Sequence, residues 1–124
     1  MEATFYDAVG GAPFFQRLVA AFYQVVEEDK ILRPMYPDEL TASHRHLTTF
    51  LIQYWGGPAT YMQERGHPRL RMRHAPFRIN RAARDAWLAA MTKAITSVRD
   101  ELTDEQVVEL TSYFNMAAHQ MRNV

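Results

Sequence analysis

The chain contains no cysteine, which excludes disulfides, thiolate metal sites and thiol nucleophiles. No apolar run approaches the roughly 18 residues a bilayer-spanning helix needs, and nothing resembles a signal peptide. Net charge is also missing: 14 basic residues balance 14 acidic ones, which argues against a surface built throughout for nucleic acid. There is no glycine-rich phosphate loop, no telling pair of carboxylates and no His-Glu-x-x-His, and neither Ser43 nor Ser97 has an evident His/Asp partner. Hydrolase chemistry therefore has no support. What is left, at 124 residues and 48% hydrophobic content, is expected to be one globular domain over 1–124, located in the cytoplasm.

One local absence is sharper. From Arg65 to Arg84 there are seven arginines and no acid, so half of all the basic residues fall in that stretch. Such an asymmetry in a neutral chain asks for a local anionic partner.

Helical spacing dominates elsewhere. Phe5 to Val9 makes a short turn that Gly10-Gly11 stops, and Pro13 suits the first turn of the next helix. Phe15, Leu18, Val19, Phe22 and Val26 repeat at helical spacing up to Glu27-Glu28-Asp29. Thr41 is placed to cap a helix with Ser43, Leu47, Phe50, Leu51 and Tyr54 on its inner stripe, ended by Gly56-Gly57-Pro58. Ala59 to Ile79 shows no long period; its two prolines, one glycine and arginines imply short turns around a loop. Asn80 caps a helix carrying Trp87, Leu88, Met91, Ala94, Ile95 and Val98. Thr103 and Gln106 form a capping box for a last helix with Val107, Leu110, Thr111, Phe114, Ala118 and Met121 inside. No strand pattern occurs, so the fold is all-α, with about four substantial helices and a long irregular segment between the middle two.

Within that segment Leu70 and His74 are four apart, so one helical turn puts them on the same face with Arg73 at its edge. An inward imidazole with an arginine at its rim suits a buried iron with a negatively charged periphery. The competing reading is a half-buried histidine that caps a carbonyl while the arginines face water. His67, before Pro68, reads as structural. His44 and His46 do not share a helical face, so they are not a metal pair, although His46 reaches toward a cofactor rim; His119 reads as exposed. Tyr23, Tyr36 and Trp87 are either core aromatics bonded to carbonyls or, if they converge, a donor-rich pocket for a small acceptor.

The residues then resemble a family. Phe5-Tyr6-Asp7-Ala8-Val9-Gly10-Gly11, Phe22-Tyr23, Leu32-Arg33-Pro34-Met35-Tyr36-Pro37, Gln53-Tyr54-Trp55-Gly56-Gly57-Pro58, Gly66-His67-Pro68 through Phe77, and Asp85-Ala86-Trp87-Leu88 are together similar to group II truncated haemoglobins, over almost the whole length. The resemblance implies a two-over-two helical sandwich around one haem b per chain, with His74 as the iron ligand. It puts Tyr23, Tyr36 and Trp87 on the polar distal positions, Ser43 on the distal-helix position facing the ligand, and Leu47 on an apolar wall one turn later. Phe50, Leu51, Tyr61, Leu70, Phe77 and Met91 complete the implied haem cage, and Arg73 matches a propionate-binding arginine. One departure stands out: His46 replaces the second propionate arginine that relatives often carry on the distal helix.

The implied function is reversible binding of O2, CO and NO in a donor-rich pocket, with slow O2 release and Trp87 and Tyr36 as the larger contributors. The alternative is a redox enzyme, peroxidase-like or NO-dioxygenating, fed by an unidentified reductase; peroxide and sulfide are further candidate ligands. A remoter alternative is a helical module that grips a polyanion with the Arg65–Arg84 stripe. Neither nucleic acid nor membrane insertion is expected, and the chain is expected as a monomer or homodimer.

Overall fold

A threonine, two acids and a glutamine start the longest helix. In the computed structural model, which describes residues 3–124, Thr103 Oγ1 accepts from the Gln106 amide at 3.1 Å, and Gln106 Oε1 accepts from the Thr103 amide at 2.8 Å. With Asp104 and Glu105 in the first turn, this reciprocal box opens Asp104–Met121. In chain order the α-helices are α1 (Phe5–Ala8), α2 (Ala12–Glu28), α3 (Thr41–Tyr54), α4 (Thr60–Arg65), α5 (Leu70–His74), α6 (Arg81–Ser97) and α7 (Asp104–Met121). Two single 3-10 turns, Arg33–Met35 and Arg99–Glu101, sit in the connections. No strand occurs among the described residues.

The four long helices form two crossed layers. Helix α2 packs on both α3 and α6, and α6 packs on α7. The stripe read from the sequence is the reason: Phe15, Leu18, Val19, Phe22 and Val26 of α2 are wholly inaccessible, and Phe14, outside that stripe, is buried with them. Each such side chain contributes about 1.5–3 kcal/mol when removed from water. Met91, Ala94 and Ile95 of α6 and Leu110, Tyr113 and Phe114 of α7 close the core from the other side.

Three expectations need correction. Thr41 is not the cap of α3 but its first residue; Leu40 occupies the cap position, and the Thr41 amide and hydroxyl both bond Glu39 Oε1, at 3.2 and 2.6 Å. A carboxylate two residues back binds the threonine more strongly than the helix amides do. Tyr54 and Thr111, expected inside, are exposed, and Tyr113 takes the inner place on α7. The segment 59–79 is also not loop throughout. It holds α4 and α5, helices of six and five residues that are too short to show a period. Arg69, with φ 42° and ψ 53°, makes the left-handed turn that separates α5 from the chain before it.

The end of α3 is tied to the first helix. The Tyr6 amide donates to the Trp55 carbonyl at 2.9 Å, and Gly57 lies where a Cβ would be 2.7 Å from both Ile52 Cγ2 and Tyr6 Cδ2. Neither a tyrosine ring nor a β-branched side chain yields easily there. Gly57→Ala is therefore expected to destabilise the fold by about 1–3 kcal/mol, read as a lower urea midpoint at unchanged slope.

Candidate functional site

Helix α5 is one turn long, and its chemistry follows from that turn. His74 Nδ1 lies 2.7 Å from the Leu70 carbonyl oxygen. A carbonyl only accepts, so Nδ1 carries the ring proton and Nε2 keeps its lone pair. The two readings of His74 thus meet in one residue: it bonds a carbonyl and still offers a ligating nitrogen. Around it the turn is held by side chains. Arg73 donates from Nε to the Pro68 carbonyl at 2.7 Å and from Nη2 to the Arg65 and His67 carbonyls at 2.8 and 3.2 Å. His67 Nδ1 accepts from the Arg69 amide at 3.1 Å, a structural role.

A residue the sequence did not suggest completes this support. Asn123 Oδ1 accepts from the Ile79 amide at 2.9 Å, its Nδ2 donates to the Phe77 carbonyl at 2.8 Å, and its amide donates to the Ile79 carbonyl at 3.0 Å. Its Nδ2 also approaches the His74 carbonyl, at 3.4 Å. Nothing local marks a lone asparagine near a chain end for such a task, because its partners lie more than 40 residues away.

The rim is cationic. Arg65 Nη1 stands 2.9 Å from Nδ1 and 2.7 Å from Nε2 of His46, and whichever ring nitrogen lacks a proton accepts from it. Arg65 and Arg73 each lie 5.9 Å from the centroid of the Tyr61 ring, which joins them into one cluster. Buried Arg65 Nε has no partner. Glu64, whose charge acts on His46, is engaged by Arg45. Burial, then Arg65 and Arg73, hold the His46 imidazole below its ordinary range. An anion is what this cluster lacks.

The aromatic and polar candidates converge on the other side. Tyr23 is 4% exposed and packs edge-on to Tyr36 at 5.7 Å between ring centroids. The Tyr23 hydroxyl interacts with Ser43, and Tyr36 with the Trp87 indole. Burial raises the Tyr23 ionisation, with Tyr36 adding to it, and burial pushes Tyr36 up to about 12 against the opposing hydrogen bond from Trp87. Both phenols therefore stay protonated donors across the biological range. His44, which carried no assignment from the sequence, stacks on Tyr23 at 4.4 Å, and burial lowers its pKa.

The apolar candidates divide. Phe50, Leu51, Tyr61 and Met91 are buried, whereas Leu47 and Leu70 are half-buried. Phe77, read as inward-facing, is 48% exposed. A turn through Ala75-Pro76 follows His74, and the Phe77 amide donates to the His74 carbonyl at 3.0 Å.

Among the described residues no three His, Asp or Glu side chains come together to hold a bare metal ion. One imidazole with a free Nε2 suits a metal whose other positions are filled by a planar macrocycle, and the arginine cluster suits carboxylates on that macrocycle's edge. A two-layer helical sandwich with these features is the architecture of a compact haem-binding domain.

Comparison with known proteins agrees. The model of the bacterial-like globin family matches residues 4–122. A group 2 truncated hemoglobin of Bacillus subtilis, YjbI, is 43% identical over 93 residues, covering 75% of this chain and 70% of its own. The thermostable hemoglobin of the actinobacterium Thermobifida fusca superposes with a TM-score of 0.95 at 47% identity, covering 98% of each chain. A truncated oxygen-avid haemoglobin from Bacillus subtilis does so with a TM-score of 0.91 at 38% identity, covering 98% of this chain and all of the other. The chain belongs to the bacterial-like globin family, and within it to the group II truncated haemoglobins, whose cofactor is haem b. No helix of the described residues is long and apolar enough to cross a membrane.

The rim yields a titration. Its folded-state pKa lies below the ordinary imidazole value of 6.5, so His46 contributes stability that is present above that value and lost as pH falls. In a proton NMR titration the His46 midpoint is expected below 6.5, and Arg65→Gln should move it part of the way back up, leaving the share due to burial.

Proposed function

We propose that this protein is a reversible binder of diatomic ligands, O2 above all, that holds them with hydrogen bonds and releases them slowly. When bound, haem b would be held through its iron by His74 and would supply the metal to which such a ligand binds. The observation that carries the reading is the pairing of a free His74 Nε2 with a distal cluster of neutral donors, Tyr23, Tyr36, Ser43 and Trp87.

The chain's own residues divide the work. His74 is oriented by Leu70: a ring whose Nδ1–H is bonded to a carbonyl is fixed in rotation and is a stronger donor at Nε2. Arg73 and Arg65 would hold the two propionates. His46 then serves beside Arg65 rather than as the second anchor itself, which answers the departure from the family pattern. Leu47, Phe50, Leu51, Tyr61, Leu70, Phe77 and Met91 would wall the macrocycle and keep water out. On the ligand side, Tyr36 and Trp87 are the main donors to a ligand that gains negative charge, while Tyr23, packed edge-on against the Tyr36 ring, orients it. Each neutral hydrogen bond contributes about 0.5–1.5 kcal/mol, and one to a charged group about 1.5–3. At about 1.4 kcal/mol per factor of ten, two neutral donors slow release by roughly 5- to 150-fold, and two that meet developing charge by more than about 100-fold. The name oxygen-avid, given to the B. subtilis relative, points the same way. CO and NO fit the same space but draw less on the donors. Slow release suits sensing, scavenging or redox work in the cytoplasm better than bulk transport.

Trp87→Phe should speed O2 dissociation by about tenfold or more while leaving CO dissociation nearly unchanged, measured by stopped-flow on the ferrous protein. An O2 off-rate equal to wild type would remove the donor role. His74→Ala should abolish the five-coordinate deoxy spectrum, and an unaltered spectrum would remove the ligand assignment.

A further inference from the structure

A concavity of about 450 Å³ lies between α3, α5 and α7; it backs onto the proposed macrocycle wall through Phe50 and Leu70 but is lined by none of the distal donors nor by His74. Its volume falls in the range of small-molecule sites. The lining includes Tyr54, Tyr113, Met72, Met116, Arg69 and Arg71 and no acid. Tyr54, Met72 and Met116 are 48%, 60% and 49% exposed, an unusual share of apolar surface for one place. Among the described residues neither Arg69 nor Arg71 has a side-chain hydrogen bond or ion pair; they are part of the arginine surplus that haem propionates do not use.

The floor of this groove is one end of a continuous row of rings. Tyr54 and Tyr113 are 4.1 Å apart between centroids, Tyr113 and Phe114 5.3 Å, and Phe114 and Trp87 5.7 Å. The Trp87 indole in turn neighbours the Tyr36 hydroxyl in the distal pocket. Phe114 is a bridge and not a stopping point, since a phenyl ring is hard to oxidise. The two tyrosines differ in where their protons can go. Tyr113 is 8% exposed, and burial together with Tyr54 opposes its ionisation. Tyr54 is open to water. A phenol gives up an electron readily only where its proton can leave as well, so an electron vacancy entering at Trp87 comes to rest on Tyr54.

We propose that the groove is a second site that binds a phenolic carboxylic acid and passes its electrons through Tyr54, Tyr113, Phe114 and Trp87 to hydrogen peroxide in the haem pocket. For its oxidising end this rests on the haem-binding reading above. Arg69 and Arg71 take the carboxylate, and the phenol ring lies against Tyr54 and the two methionine sulfurs. In each pass Tyr54 sends one electron inward and its phenolic proton to water, and the bound phenol restores both by giving up its O–H hydrogen. After two passes the peroxide O–O bond has broken, two electrons and two protons have made two waters, and two phenol molecules have become two phenoxyl radicals.

The test uses the haem-loaded protein, with p-hydroxyphenylacetate as the acid and 4-methylphenol as its neutral counterpart. Calorimetry without peroxide should show the acid binding, and Arg69→Gln/Arg71→Gln should weaken it at least tenfold with the Soret band unchanged. After a peroxide pulse without reductant, rapid-freeze EPR should show a tyrosyl radical that Tyr54→Phe removes. The same variant should slow peroxide-driven oxidation of p-hydroxyphenylacetate at least tenfold, and wild type should favour the acid over 4-methylphenol. Equal binding by the double variant overturns the site, and an unchanged radical in Tyr54→Phe overturns the relay. Either result would leave O2 binding intact, whereas a protein that takes up no haem would remove the first reading as well.

Discussion

The burial of one helix face sets the position of everything else. Phe14, Phe15, Leu18, Val19, Phe22 and Val26 have no accessible surface, so α2 can neither rotate nor slide without exposing aromatic area. Phe22 and Tyr23 are neighbours on that helix and point about 100° apart. Phe22 meets Trp87 of α6 at 5.3 Å, while Tyr23 meets His44 of α3 and Tyr36 of the connection between α2 and α3. The apolar packing of α2 thus fixes the spacing between the two walls of a polar pocket. Donor geometry here is a product of core packing.

Electrostatics divides the same pocket into two zones. Inside, burial keeps phenols neutral and therefore able to donate. At the rim, Arg65, Arg73 and His46 gather positive charge, and the pairing of Glu64 with Arg45 keeps that acid from neutralising it. A ligand carrying apolar bulk, a metal in the middle and carboxylates on one edge matches both zones at once. A free polyanion would use only the second.

The long helices were legible because their apolar residues repeat over three or more turns, as in α2 and α6. Caps were legible where a side chain had a single option: Asn80 Oδ1 accepts from the Ala83 amide at 2.9 Å as expected. Thr41 failed that test because Glu39 competed for it. Convergence of Tyr23, Tyr36 and Trp87 was out of reach of periodicity, since they sit on three elements whose relative placement is decided by the core. The family resemblance named those positions; spacing alone did not. Arg65 was counted among the arginines but not singled out, because its partner His46 is 19 residues away on a different helix.

Helix α5 has five residues, far fewer than a helix needs to persist in water on its own. Its existence is a loan from tertiary contacts: the Arg73 bonds on one side, Asn123 on the other, and α7 behind it. The nitrogen proposed to hold the iron therefore sits on a part of the backbone with little stability of its own. Opening there requires no disruption of the α2 core, so cofactor entry and departure are separable from unfolding, and the chain can wait for its haem with the four long helices already assembled.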